Sequence, residues 1–265
     1  MCGVFGFVMK KHLSMAKVFR VLQKLEVSQY RPEEKRPVGG YGAGVAVLLD
    51  DGNILSEKVG KVADSPAGLL AEMMKTKLTK ASVLIGHVRF PSPEFLDTAK
   101  FKETAQPYVG QFEEELSIAS VHNGKVENYK ELRKKLKEHV FESDKVGFVD
   151  SEIIPHYFSE LINEIENVDE AVYELMCTLK GKNVGSVALL HVDSESAFLH
   201  LIHKGWSRGL TVWANEKNEV IFCSRPEPVV EELKETLIRG KFKEKASIKW
   251  REDAGLKLSF PITFG

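Results

Sequence analysis

Apolar residues come in short blocks along this chain, and the period of each block names its element. Residues 3–9 (GVFGFVM) form an unbroken apolar run, the pattern of a buried strand. Residues 14–30 (SMAKVFRVLQKLEVSQY) instead place Val18, Leu22 and Leu25 on one side, which predicts an amphipathic helix. Pro, Gly and charge then crowd residues 31–42, predicting a loop. Two apolar stretches, AGVAVLLD and ILSEKVG, flank Asp51-Gly52-Asn53 and read as a hairpin. Ser65 and Pro66 open a helix as N-cap and first helical residue. ASVLIGHVRF (81–90) and LSIASVHNG (116–124) read as buried strands. Helices are predicted at 128–140, 150–165 and 168–180; the first has Tyr129, Leu132, Leu136 and Val140 on one face. Short strands follow in GSVALLHVD, AFLHLIHKG, LTVWANE and EVIFCSR. A helix then ends at Gly240, and residues 246–263 read as a final pair of strands.

Blocks of antiparallel strands with helices gathered between them predict two packed sheets with helices outside, in one domain over residues 1–265. Composition agrees with a globular chain: 43% of the 265 residues are hydrophobic and 28% charged. The 37 Lys and Arg nearly cancel the 38 Asp and Glu, which argues against nucleic-acid or membrane-surface binding. The basic run Arg133-Lys134-Lys135 reads as the solvated side of its helix, and Glu113-Glu114-Glu115 as a wet loop. Three widely spaced cysteines make no CxxC pair and no disulfide framework, so a reducing compartment is expected. The opening apolar run is short and precedes, rather than follows, a basic pair, unlike a signal peptide. No stretch has the length of a spanning helix, and the cytoplasm is the expected location.

Four segments carry candidate chemistry. Cys2 is either a small packed hydrophobe or a nucleophile exposed when Met1 is removed. In the second case its α-amine, with a pKa of about 7.7–8.0, would serve as the base. Arg89 ends a strand before a Pro-broken loop; it suits either a surface salt bridge or bidentate capture of a carboxylate. His122, Asn123 and Gly124 end another strand. Asn-Gly is a strong turn signal, but an Asn amide beside a Gly N–H also makes an oxyanion hole. Asp150 opens a helix, as an N-cap or as the partner of a substrate ammonium group. GGYGAG (39–44) lacks dinucleotide-loop spacing and feeds a strand, and His200 and His203 have no third ligand in view. No metal or cofactor is expected.

Together, CGVFG after Met1, QYR…GYGAGVAV, GHVRFPS, TAQPY, VHNGKVENYKELR and VDSEII resemble, in order and spacing, the class II glutamine amidotransferase domain. The resemblance runs from residue 2 to about 160, with weaker echoes up to VIFCSRPEP. It implies an α+β fold, the four-layer αββα sandwich of N-terminal nucleophile hydrolases. It implies L-glutamine as substrate and Cys2 as the terminal nucleophile. It further implies Arg89 on the α-carboxylate, Asp150 on the α-ammonium, and Asn123 with Gly124 as the oxyanion hole. His122 and Ser92 join the substrate-binding candidates. Phe90-Pro91-Ser92 departs from the family pattern but keeps a hydroxyl at Ser92; Thr104 stands where Asn is usual; the loop after Tyr30-Arg31 is longer and carries Pro32. No P-loop, dinucleotide or iron–sulfur signature follows that could consume ammonia. The resemblance therefore implies the glutaminase component of a split, glutamate-synthase-like amidotransferase with a separate synthase subunit. A stand-alone amidohydrolase and a non-catalytic glutamine-sensing subunit are the alternatives.

Overall fold

A computed structural model describes residues 2–29, 36–112 and 116–263. Its elements run β1 (Gly3–Ser14), α1 (Met15–Val27), β2 (Gly42–Leu48), β3 (Ile54–Gly60), α2 (Pro66–Met74), β4 (Lys80–Val88), β5 (Tyr108–Phe112) and β6 (Leu116–Asn123). Then follow α3 (Tyr129–Arg133), α4 (Ile153–Glu164), α5 (Val168–Thr178), β7 (Gly185–Val192), β8 (Ala197–Ala214), β9 (Val220–Cys223), α6 (Pro226–Arg239) and β10 (Lys243–Pro261). The strands pair antiparallel in the order β3-β2-β4-β1-β9-β8-β7-β6-β5, with β10 beside β8.

Period-2 alternation divides each strand between two cores. Val4, Ile85, Val121, Leu190 and Phe222 pack between the two halves of the sheet. On one outer face Phe5, Phe7 and Leu84 meet Leu22 and Leu25 of α1, Leu70 of α2 and Val229 of α6. On the other, Ile118, Leu189 and Ile202 meet Phe158 of α4 and Leu175 of α5. The result is the αββα sandwich. Ser65 caps α2 by accepting from Gly68 N, and the Asp51-Gly52-Asn53 hairpin sets Leu48 opposite Ile54, as the pattern predicts. No helix among the described residues is long and apolar enough to cross a membrane.

Three expectations need correction. The helix predicted over 128–140 stops after Arg133. Tighter i→i+3 turns follow (Lys135 N to Leu132 O, Leu136 N to Arg133 O), leaving Val140 87% exposed. Arg133 drives this: its guanidinium lies 4.0 and 4.2 Å from the Phe141 and Phe148 ring centres and pairs with Asp144, so the chain must fold back. Arg133 is thus no solvated helix charge. Next, AFLHLIHKG and LTVWANE are one strand, β8, which climbs in one half-sheet and descends in the other. Gly205 (φ +77°) and Gly209 (φ +94°) supply the left-handed backbone of that crossing. Finally, the expected terminal pair of strands is the single ribbon partner β10, bulged between Trp250 and Asp253 to follow the same bend. The loop at 31–35, with Pro32, and Glu113–Glu115 lie outside the described residues.

Candidate active site

Strand polarity brings the candidate groups to one end of the sandwich. Gly3 of β1 lies opposite Val88 of β4, and Asn123 of β6 opposite Ser186 of β7. Cys2 therefore stands beside the exit of β4, where Arg89 follows. Its Sγ is 3.4 Å from both the N and O of Phe90, accepting from the first and donating to the second. The glycines after it are needed for close packing. A Cβ on Gly3 would come within 2.8 Å of Leu25 and Val38, and one on Gly6 within 2.5 Å of Leu84 O. CGVFG is thus a strand pressed against a helix on one side and a neighbouring strand on the other.

Arg89 is held by its backbone to the start of β2: its N donates to Gly42 O at 2.8 Å and its O accepts from Tyr41 N at 2.9 Å. The side chain is only 4% exposed. Nη1 donates to Thr104 Oγ1, which in turn lies 2.8 Å from Thr98 O. Nη2 is buried with no hydrogen-bond partner among the described residues. Burial pulls the guanidinium pKa down, and the fields of Tyr108, Cys2 and Asp150 oppose that pull. A surface salt bridge is therefore excluded for Arg89. The cation is desolvated and makes no ion pair among the described residues.

The Asn123-Gly124 corner is fixed by TAQPY. Gln106 Oε1 accepts from His122 N at 2.6 Å, and its Nε2 donates to His122 O at 3.2 Å, clamping the strand end like another strand. Both ring nitrogens of His122, one of the binding candidates, are taken up by partners within the protein. Nε2 lies 2.7 Å from Val184 O and so carries the proton; Nδ1, 2.9 Å from Ser151 Oγ, accepts. Burial lowers its pKa to about 4 and keeps it neutral. His122 positions Asn123 and Gly124. A Cβ on Gly124 would sit 1.8 Å from Val184 O, so only glycine fits where that N–H is presented.

Asp150 begins a short 3₁₀ turn (Asp150–Glu152) but caps nothing. Its Oδ2 accepts from Val126 N at 2.8 Å, tying it to the segment just beyond Gly124. Ser151 Oγ lies 3.5 Å from Oδ1, but its proton goes to His122. Oδ1 is therefore left for another donor. Burial raises the Asp150 pKa to about 6, the Val126 bond lowers it, and the Cys2 and Glu94 charges raise it further. Ser92 is half-buried, just before a 3₁₀ turn at Pro93–Phe95. Glu94 of that turn meets Lys125 at 3.0 Å across the rim. Thr104 and Gln106, read in the sequence only as parts of a motif, prove to be the anchors of Arg89 and of the oxyanion corner. No group of three or more His, Cys, Asp or Glu among the described residues is arranged to hold a metal.

A four-layer sandwich with a thiol at the head of its first strand and a buried cation beside it defines the class of N-terminal nucleophile amidotransferases. The glutamine amidotransferase domain model matches residues 95–231, and the chain belongs to that family, whose class II members are enzymes with an amino-terminal cysteine nucleophile. Two similar proteins are named glutamine–fructose-6-phosphate aminotransferase (isomerizing). The one from Acinetobacter baylyi is 29% identical over 196 residues, covering 73% of this chain and 27% of that protein. The one from Aquifex aeolicus is 31% identical over 194 residues, covering 72% and 28%. This chain thus spans under a third of the length of these relatives. In fold it is similar to the B. subtilis glutamine phosphoribosylpyrophosphate amidotransferase complexed with ADP and GMP (TM-score 0.64, 16% identity, all of this chain and 50% of that one). It is also similar to a structure described as the allosteric regulatory enzyme of purine biosynthesis (TM-score 0.66, 15% identity, again all and 50%).

Proposed function

We propose that the chain, as one glutaminase domain, hydrolyses the side-chain amide of L-glutamine to glutamate and ammonia through a γ-glutamyl thioester on Cys2. The observation that carries this is a pair of desolvated opposite charges beside one thiol. Arg89 has an unpaired Nη2, and Asp150 has an Oδ1 without a firm donor. A zwitterionic head group with a neutral amide tip complements them. Once Met1 is removed, the Cys2 amine takes the thiol proton. The thiolate attacks the amide carbon, and Asn123 with the Gly124 N–H holds the oxyanion. The amine returns its proton to the departing ammonia, and water cleaves the thioester. Ser92, three residues after Arg89, is assigned to the head-group end of the pocket. The ammonia would pass to a synthase that consumes it. Three cysteines outside any disulfide suit a reducing compartment such as the cytoplasm.

The first test is intact mass before and after 6-diazo-5-oxo-norleucine, a glutamine analogue that alkylates thiols. The expected result is loss of Met1 and one adduct on Cys2, blocked by excess glutamine. Retained Met1 without an adduct overturns the reading. A pH dependence follows from Asp150. With a pKa of about 6 in the free enzyme, the carboxylate must lose its proton to pair with the ammonium, so binding weakens as pH falls through that value. KM for glutamine is expected to rise about tenfold per pH unit below 6, while glutamine itself stays zwitterionic. Asp150→Asn should flatten that limb at a high KM.

A further inference from the structure

Tyr108 is another buried polar group near this head, and nothing above uses its hydroxyl. It opens β5, is 1% exposed, and its Oη has no hydrogen-bond partner among the described residues. Its ring packs with Phe95 and Val149. Phe95 belongs to the turn that follows Arg89, and Val149 directly precedes Asp150. The ring thus lies between the segment that carries the cation and the one that carries the anion.

The neighbours that might claim the hydroxyl are committed elsewhere. Lys58 Nζ, 4.8 Å from the ring centre, reaches Ala105 O at 3.0 Å, Pro107 O at 3.3 Å and Glu142 Oε2 at 2.6 Å. The Glu152 carboxylate accepts from Glu142 N at 2.6 Å, from Ser143 N at 3.0 Å and from the Ser143 hydroxyl. Burial first, then the Glu152 charge, holds the phenol far above its usual pKa, so Oη is a neutral donor. Arg89 Nη2 is likewise a buried donor without an acceptor among the described residues, and Tyr108 and Arg89 act on each other electrostatically.

A buried hydroxyl without a partner costs stability that phenylalanine would spare, with the same packing. Two unpaired, desolvated donors, one charged and one neutral, are matched by a small anion offering two acceptor oxygens. We propose that Tyr108 Oη donates to the substrate α-carboxylate beside Arg89, which makes Tyr108 a specificity-determining residue for an α-amino-acid head group. This rests on the glutaminase reading.

The test uses iodoacetamide, which has no head group, to label Cys2 in the wild type and Tyr108→Phe, with adducts mapped by mass. Glutamine or 4-aminobutanamide, which is glutamine without its carboxylate, is added as protector. Tyr108→Phe is expected to raise the glutamine concentration for half-protection by roughly ten- to hundredfold. Protection by 4-aminobutanamide and the unprotected labelling rate should stay as in wild type, and the melting temperature should hold or rise. Equal protection by glutamine in both proteins overturns the assignment. Protection by both ligands weakened alike leaves Tyr108 a packing role only and overturns it too. If glutamine fails to protect wild-type Cys2, the glutaminase reading falls and takes this assignment with it.

Discussion

Cys2→Ala is expected to lower ammonia release from glutamine by about 10⁵-fold or more, the scale seen when a covalent nucleophile is removed. The fold should not notice. The thiol meets the Phe90 backbone through long sulfur contacts at 3.4 Å, while the backbone beyond it is held by Gly3 against α1 and by the β1–β4 register. A melting temperature within a degree or two of wild type is expected. The substitution also separates the two roles of residue 2, since Cys2→Ala still presents a terminal amine once Met1 is removed. If the amine alone could deliver water to the amide, activity would survive. A variant that keeps Cys2 but cannot lose the preceding residue tests the converse. Its thiol has lost the proton acceptor, and both turnover and labelling by 6-diazo-5-oxo-norleucine should fall sharply. Ammonia release by Cys2→Ala within tenfold of wild type would remove Cys2 from the chemistry.

Much of this site was legible because its parts are local. Cys2, Arg89, Asn123 and Asp150 each sit at the end of a strand or the start of a turn, and those boundaries show in the pattern of apolar residues. What each group does was not legible singly. Arg89 taken alone read as a surface charge, because its burial involves Thr104 and the TAQPY segment, more than ten residues downstream. Asp150 read as an N-cap; its actual partner, Val126 N, arrives from the neighbouring loop. His122 looked like a binding group because it adjoins Asn123, yet strand alternation turns its side chain to the opposite face, toward Val184 and Ser151. The crossing of β8 was hidden for a different reason. Gly205 and Gly209 signal a break on composition, whereas here their positive φ lets one strand serve both half-sheets. The early end of α3 depends on Arg133 lying over two aromatic rings that follow it, a contact that period and propensity do not encode.

Arg89→Met carries the second largest expected effect, and it should move stability and activity in opposite directions. In the ligand-free protein the guanidinium is desolvated, donates to Thr104, and leaves Nη2 without an acceptor. Replacing an uncompensated buried charge by an apolar side chain of similar length removes a desolvation penalty, so the melting temperature should hold or rise. Catalysis should suffer, because the substrate carboxylate then enters the same low-dielectric space without its cation. Breaking a buried charge pair costs about 3–5 kcal/mol, which is roughly a 10²–10⁴-fold loss in kcat/KM. Most of the loss should lie in KM, since the head group binds alike in ground and transition states. Arg89→Lys should recover only part, because an ammonium cannot both reach Thr104 and present a second parallel donor. Binding of 4-aminobutanamide, which brings no carboxylate, should be unchanged or tighter in Arg89→Met. A kcat/KM within threefold of wild type, or an equal loss of binding for glutamine and 4-aminobutanamide, would show that Arg89 supports the fold and does not hold the substrate.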